Sequence, residues 1–134
     1  MRAADGTISD VEVPGASGTN PNGSDDSGAV SGEYIDHHRF HGFIEAPDGT
    51  FKTFDPQGSV TTLAYEINRK GEIASWFRDA SKVWHGYTRK ADGTIAIFDP
   101  PGSRKTEIYA VNASGAIAGF YKDHGRFHGF LRTP

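Results

Sequence analysis

The chain has no cysteine, which excludes both a disulfide-stapled small domain and a metal site built on thiolates. It also lacks a basic excess: 14 Lys and Arg stand against 17 Asp and Glu, a formal charge of −3, so nothing draws it to phosphate backbones in general. Nucleic acid is not an expected partner. No stretch approaches the ~18–20 consecutive apolar residues of a membrane-spanning helix, so no membrane partner is expected either. The opening Met-Arg-Ala-Ala-Asp-Gly lacks the apolar run of a secretory signal. Catalytic signatures are missing too: there is no Gly-x-Ser-x-Gly elbow, no phosphate loop and no His-Glu-x-x-His helix. The sequence therefore offers no catalytic residue, no metal ligand set and no cofactor. Hydrophobic residues reach only 36%, below the ordinary ~45–50%, while 17 glycines among 134 residues exceed the usual share of about 7%. That balance points to many turns and short strands in a single domain.

What is present is a repeat. Asp-Gly-Thr stands at Asp5-Gly6-Thr7, Asp48-Gly49-Thr50 and Asp92-Gly93-Thr94, at offsets of 43 and 44 residues. His-Gly-aromatic stands at His41-Gly42-Phe43, His85-Gly86-Tyr87 and His128-Gly129-Phe130, at offsets of 44 and 43. Two markers with one spacing define units 4–46, 47–90 and 91–134 of one repeat domain. Between the markers lie Phe54-Asp55-Pro56-Gln57-Gly58 and its counterpart Phe98-Asp99-Pro100-Pro101-Gly102. Then come Ile67-Asn68-Arg69-Lys70-Gly71-Glu72-Ile73 and Val111-Asn112-Ala113-Ser114-Gly115-Ala116-Ile117.

Asp-Gly, Asn-x-x-Gly and the charged turns near 79–83 and 123–126 divide each unit into strand-forming segments. The middle example predicts four strands near 61–67, 72–78, 83–89 and 94–98, with the proline-containing segment crossing between units. Four strands in about 43 residues is the size of one propeller blade. The expected fold is therefore all-β, a β-propeller of four-stranded blades with three blade-equivalents per chain. Apolar residues occupy both faces of the predicted sheets, so stacking is obligatory. Three blades do not close a ring, and a homodimer of six blades is the expected assembly. Residues 7–13 read as the last strand of a blade and 127–132 as a third strand, so each chain would complete a blade of the other.

The His-Gly-aromatic, Phe-Asp-Pro-x-Gly and Ile-Asn-x-x-Gly-x-Ile motifs resemble the bacterial repeat family named for its His-Ala-Phe motif, described as probable extracellular repeats. Glycine stands here for the alanine of that name. The resemblance implies a propeller-like array without defined catalytic residues and an extracellular or periplasmic location.

His41, His85 and His128 read as structural repeat positions rather than zinc ligands, because successive blades would point them to separate places. Asp36, Asp79 and Asp123 begin the turns that precede them. These three aspartates and the variable residues of their turns, His37, His38, Arg39, Lys82, His124 and Arg126, are candidates for ligand binding, together with Arg104 and Lys105 of a crossing. Trp76 is a further candidate for stacking on a ligand, although an inward packing role competes with it. Residues 18–26 replace the aliphatics of the other units with Asn, Ser and Asp. This segment is expected to be loose, and its oxygens match no Ca²⁺ loop. The resulting reading is a non-enzymatic binding module for a carbohydrate or protein. The alternatives are a hydrolase or lyase acting at a central channel through Asp and His groups, and an array fragment without present activity.

Overall fold

The repeated turn residues set the chain's punctuation. In the computed structural model, which describes residues 5–134, the carboxylates of Asp5, Asp48 and Asp92 accept the N–H of Thr7, Thr50 and Thr94 at 2.9 Å. The glycine of each Asp-Gly-Thr lies at positive φ, 83° at Gly49 and 93° at Gly93, which a residue with a Cβ rarely adopts. Asn68 and Asn112 make the second turn in the same way: each side-chain oxygen accepts two backbone N–H groups, Lys70 and Glu72 in one case, Ser114 and Ala116 in the other. Asp25 plays that part in the first unit, accepting from Ser27 and Ala29.

Between these turns the described residues form twelve strands and no helix: β1 (Gly18–Ser24), β2 (Val30–Asp36), β3 (Arg39–Glu45), β4 (Phe51–Phe54), β5 (Ser59–Thr62), β6 (Glu66–Ile67), β7 (Ile73–Asp79), β8 (Trp84–Arg89), β9 (Ile95–Phe98), β10 (Lys105–Val111), β11 (Ile117–Asp123) and β12 (Arg126–Arg132). The first four make an antiparallel sheet in order β1-β2-β3-β4. The rest form a mixed eight-stranded sheet, β12-β11-β10-β8-β7-β5, with β6 on β7 and β9 on β8. Its parallel step from β10 to β8 rests on the single pair Lys105 and Trp84, so the second and third units are joined there by one backbone bridge.

Three apolar clusters form the core, the first within unit 4–46 and the other two between consecutive units. Val13 packs with Val30 and Phe43, joined by Val11 and Ala16. Ala29 of the turn before β2, with Ile44 and Phe54 of the first sheet, meets Ile67, Ile73, Phe77 and Tyr87. Ala74 and Phe98 meet Ile108, Ile117 and Phe130. The first sheet thus buries a face against the strands of the second unit, and those of the second unit against the third, which is how short strands with apolar residues on both faces avoid water.

Three strand expectations need correction. The inner strand of the second unit is broken between β5 and β6: the Leu63 N–H still donates to Trp76 of β7 at 3.2 Å, but its carbonyl turns away and accepts the Tyr87 hydroxyl at 2.5 Å. Residues 7–13 contain only an isolated bridge at Ile8 rather than a strand. Residues 18–24 are not loose but form β1, at the edge of its sheet, where Pro21 needs no ladder donor on its outer side.

Candidate functional site

The three repeat histidines sit at the same place in the third strand of each unit. His41 Nδ1 bonds Asp55 Oδ2 at 2.7 Å, and His85 Nδ1 bonds Asp99 Oδ2 at 2.6 Å, so the Asp of Phe-Asp-Pro pins the link that follows the fourth strand. His85 Nε2 also meets Asp79 at 3.1 Å. Burial opposes the His85 cation, but the two carboxylates outweigh it and hold its pKa above the ordinary imidazole value. His128 stacks on Tyr121 at 4.9 Å, as His85 does on Phe77 at 5.0 Å, but no carboxylate among the described residues lies within bonding distance of it. No group of three or more His, Asp or Glu among the described residues is placed to hold a metal ion.

The turn candidates divide. Asp36 pairs with His37 at 2.7 Å, and Arg39 donates to the Ser59 and Val60 carbonyls at 3.0 and 3.3 Å, tying its turn to the next crossing. His38 stands in the same turn, and Arg126 is exposed on the third unit's turn. Asp79 accepts the Val83 N–H at 2.9 Å and holds the second turn. Trp76 is only 9% exposed; it stacks on Tyr65 at 5.9 Å and sets its edge against Trp84 at 4.5 Å, so it packs inward.

Lys82, Arg104, Lys105, Asp123 and His124 come together. With Trp84, Gly102, Lys122 and Gly125 they line a groove of about 500 Å³ across the second and third units. Asp123 is engaged by the neighbouring His124, and Lys105 reaches inward to Glu107 at 2.7 Å. Lys122 lies over the Phe127 ring at 5.3 Å. The groove is therefore cationic, with Lys82 and Arg104 exposed on its rim. Its backbone is unusual as well. The non-glycine residues at positive φ are His37 (46°), His38 (64°), Lys82 (65°) and His124 (44°), all on the three equivalent turns. A side chain in that region costs about 1–2 kcal/mol relative to the right-handed conformation. These turns join β2 to β3, β7 to β8 and β11 to β12, and tight hairpin connections require positive φ, so the cost is set by the hairpin geometry.

A second cluster has no place among the sequence candidates. Glu33 and Glu107 are 7% and 5% exposed, and both lie near enough to Tyr65 to raise its phenol pKa, after the effect of burial. Burial likewise raises the Glu33 carboxyl, against a bond from Asn22 Nδ2 at 2.5 Å. Tyr109 donates to Glu107 and packs on Tyr65 at 5.6 Å. The signal was in the repeat: Glu33 stands where the other units have Trp76 and Phe120, and Glu107 where the second has Leu63. A carboxylate at an apolar repeat position marks a departure that packing alone does not require.

No family model matches the chain, and no curated protein is significantly similar to it.

Proposed function

We propose that this chain is a non-enzymatic binding module: three blade-like units of a propeller scaffold, related by its motifs to the His-Ala-Phe repeats, that holds an acidic carbohydrate at the turn end between its second and third units. The observation that carries the reading is the groove, where Lys82, Arg104 and Lys122 outnumber Asp123 beside Trp84, Lys105 being paired with Glu107, in a chain of net negative charge. Local cationic density against an acidic whole is a device for selecting an anion. Trp84 adds an aromatic wall of the kind sugar rings pack on. The blade reading is supported by the four-stranded first sheet, by the apolar clusters shared between consecutive units and by the single-pair junction within the eight-stranded sheet. An extracellular acidic glycan fits the location that the family resemblance implies.

Calorimetric titration with oligogalacturonate, and separately with oligoglutamate, tests this. Oligogalacturonate should bind, weaken as salt is added, and bind about tenfold less well to Arg104→Ala. Failure of both anions to bind at low ionic strength overturns the reading; preference for oligoglutamate moves the ligand to the protein class.

A hydrolase or lyase draws support from a different place than the Asp and His groups first considered. Glu33, whose carboxyl pKa burial raises, and Glu107, which accepts from Tyr109 and pairs with Lys105, are two buried carboxyls in unlike surroundings that both act on Tyr65. Turnover of an oligosaccharide that Glu33→Gln abolishes would establish that second reading.

A further inference from the structure

Two pockets recur at one repeat position, on either side of the second unit. The smaller, about 160 Å³, has Ala29, Ile44, Ala46, Ile67 and Arg89 in its lining. The larger, about 390 Å³, has Glu72, Thr88, Lys90, Val111 and Arg132, which stand 43 or 44 residues further on in the same order. In each, an arginine guanidinium lies over a phenylalanine ring at 4.9 Å, Arg89 on Phe54 and Arg132 on Phe98. The walls differ in chemistry. The larger pocket carries its own carboxylate, Glu72, with Thr88 and Lys90, whereas the smaller has Ala29, Ile44 and Ala46 at those three places.

Arg89 is the charged group that this exchange leaves unmatched. It is 7% exposed, whereas Arg132 is exposed. Of its five N–H donors one is used, Nη1 donating to the Lys90 carbonyl at 3.2 Å; Nε is shut off from water with no partner, and no carboxylate among the described residues lies within ion-pair distance. Burial lowers its pKa from the ordinary guanidinium value, with Tyr87 and Asp92 opposing. A cation held out of water is costly until an anion meets it. Lys52 is the other charged residue of the lining, exposed at the rim; the rest are uncharged.

We infer that the pocket between the first and second units binds a small carboxylate with an apolar body, the carboxylate on the Arg89 guanidinium and the body against Ala29, Ile44 and Ile67. The ligand supplies the charge that Glu72 supplies in the larger pocket. Size and lining fix its class. A cavity of about 150 Å³ with aliphatic and aromatic walls holds a benzene ring, so this one suits an aromatic or short branched acid. A sugar acid would set its hydroxyls against aliphatic walls that cannot bond them. The site is separate from the cationic groove: Trp84 of the groove and Arg89 stand at opposite ends of β8, about 17 Å apart along an extended strand.

Calorimetry with benzoate and benzamide at neutral pH decides it, because the two share a ring and differ in charge. Benzoate should bind the wild-type chain about tenfold more tightly than benzamide and shift the methyl signals of Ala29, Ile44 and Ile67 in nuclear magnetic resonance spectra. Arg89→Met keeps an apolar stem and removes the charge; it should retain the sheet spectrum and lose benzoate binding. Excess oligogalacturonate should leave bound benzoate in place. No binding of benzoate at millimolar concentration, equal binding of benzamide, binding that survives Arg89→Met, or displacement by oligogalacturonate would each overturn the inference. Should Arg89→Met fail to fold, the two ligands and the methyl signals of the wild-type chain still decide. Benzoate held by a chain that ignores oligogalacturonate keeps this site and removes the groove reading; the opposite result does the reverse.

Discussion

Lys82 shows what a single residue reveals here. The sequence marked it only as a variable polar tip; its φ of 65° shows that the turn keeps a lysine where glycine would be easier. Lys82→Gly is therefore expected to raise stability by about 1 kcal/mol in denaturant titration while weakening oligogalacturonate binding severalfold. His85 gives a pH prediction of known sign. Its pKa is raised in the fold, so its contribution is complete below the unfolded value of about 6.5 and is lost as pH climbs through the folded one. Asp79, lowered first by the bond from His85 and then by the Val83 N–H, contributes fully above about 3.9 and loses that on acidification. The pair is at full strength between roughly pH 4 and 6.5. Denaturation midpoints should fall from mildly acidic to mildly alkaline pH in the wild type, and His85→Asn should flatten that decline. The His–Asp pairing itself was only half legible: the sequence showed that the histidines recur, but the partners Asp55 and Asp99 stand fourteen residues further on and become visible only once β3 and β4, or β8 and β9, are paired.

Among the elements, the hairpin strands were the most readable, because Asp-Gly and Asn-x-x-Gly leave few choices for the chain between them. The inner strands were not. Each unit interrupts its inner strand at one repeat position: a bulge at Asn22 in β1, the break at Tyr65, and a bulge at Tyr109 in β10. A bulge carries no residue signature of its own, so 61–67 read as one strand and 18–26 as none. Thr19 stabilises the latter by accepting the Val13 N–H at 3.0 Å, a bond no local pattern announces. The closeness of these strands makes a test. A Cβ at Gly32 would lie 2.1 Å from the Asn20 carbonyl of β1 and 2.8 Å from the Phe43 ring. Because the nearer atom is backbone in a paired strand, Gly32→Ala should cost about 1–3 kcal/mol, read as a lower denaturation midpoint.

For the whole molecule, the repeat period gave away the all-β class and the mutual burial of the sheets, since two apolar faces on a short sheet have few other resolutions. It could not place the buried acid cluster, because Glu33 and Glu107 belong to different units and meet only around Tyr65. Nor could it join Lys82 to Arg104, which come from a turn and a crossing in consecutive units. That last pairing has a mechanical side. The second and third units share one backbone bridge, Lys105 with Trp84, and both residues line the groove. Beyond that bridge the two units are held by Ala74 and Phe98 packed on Ile108, Ile117 and Phe130 and by the Asn68 amide on the Asn112 carbonyl. The width of the groove is thus set by a core some distance from it, and a substitution that loosens that core is expected to reshape the groove without touching its walls.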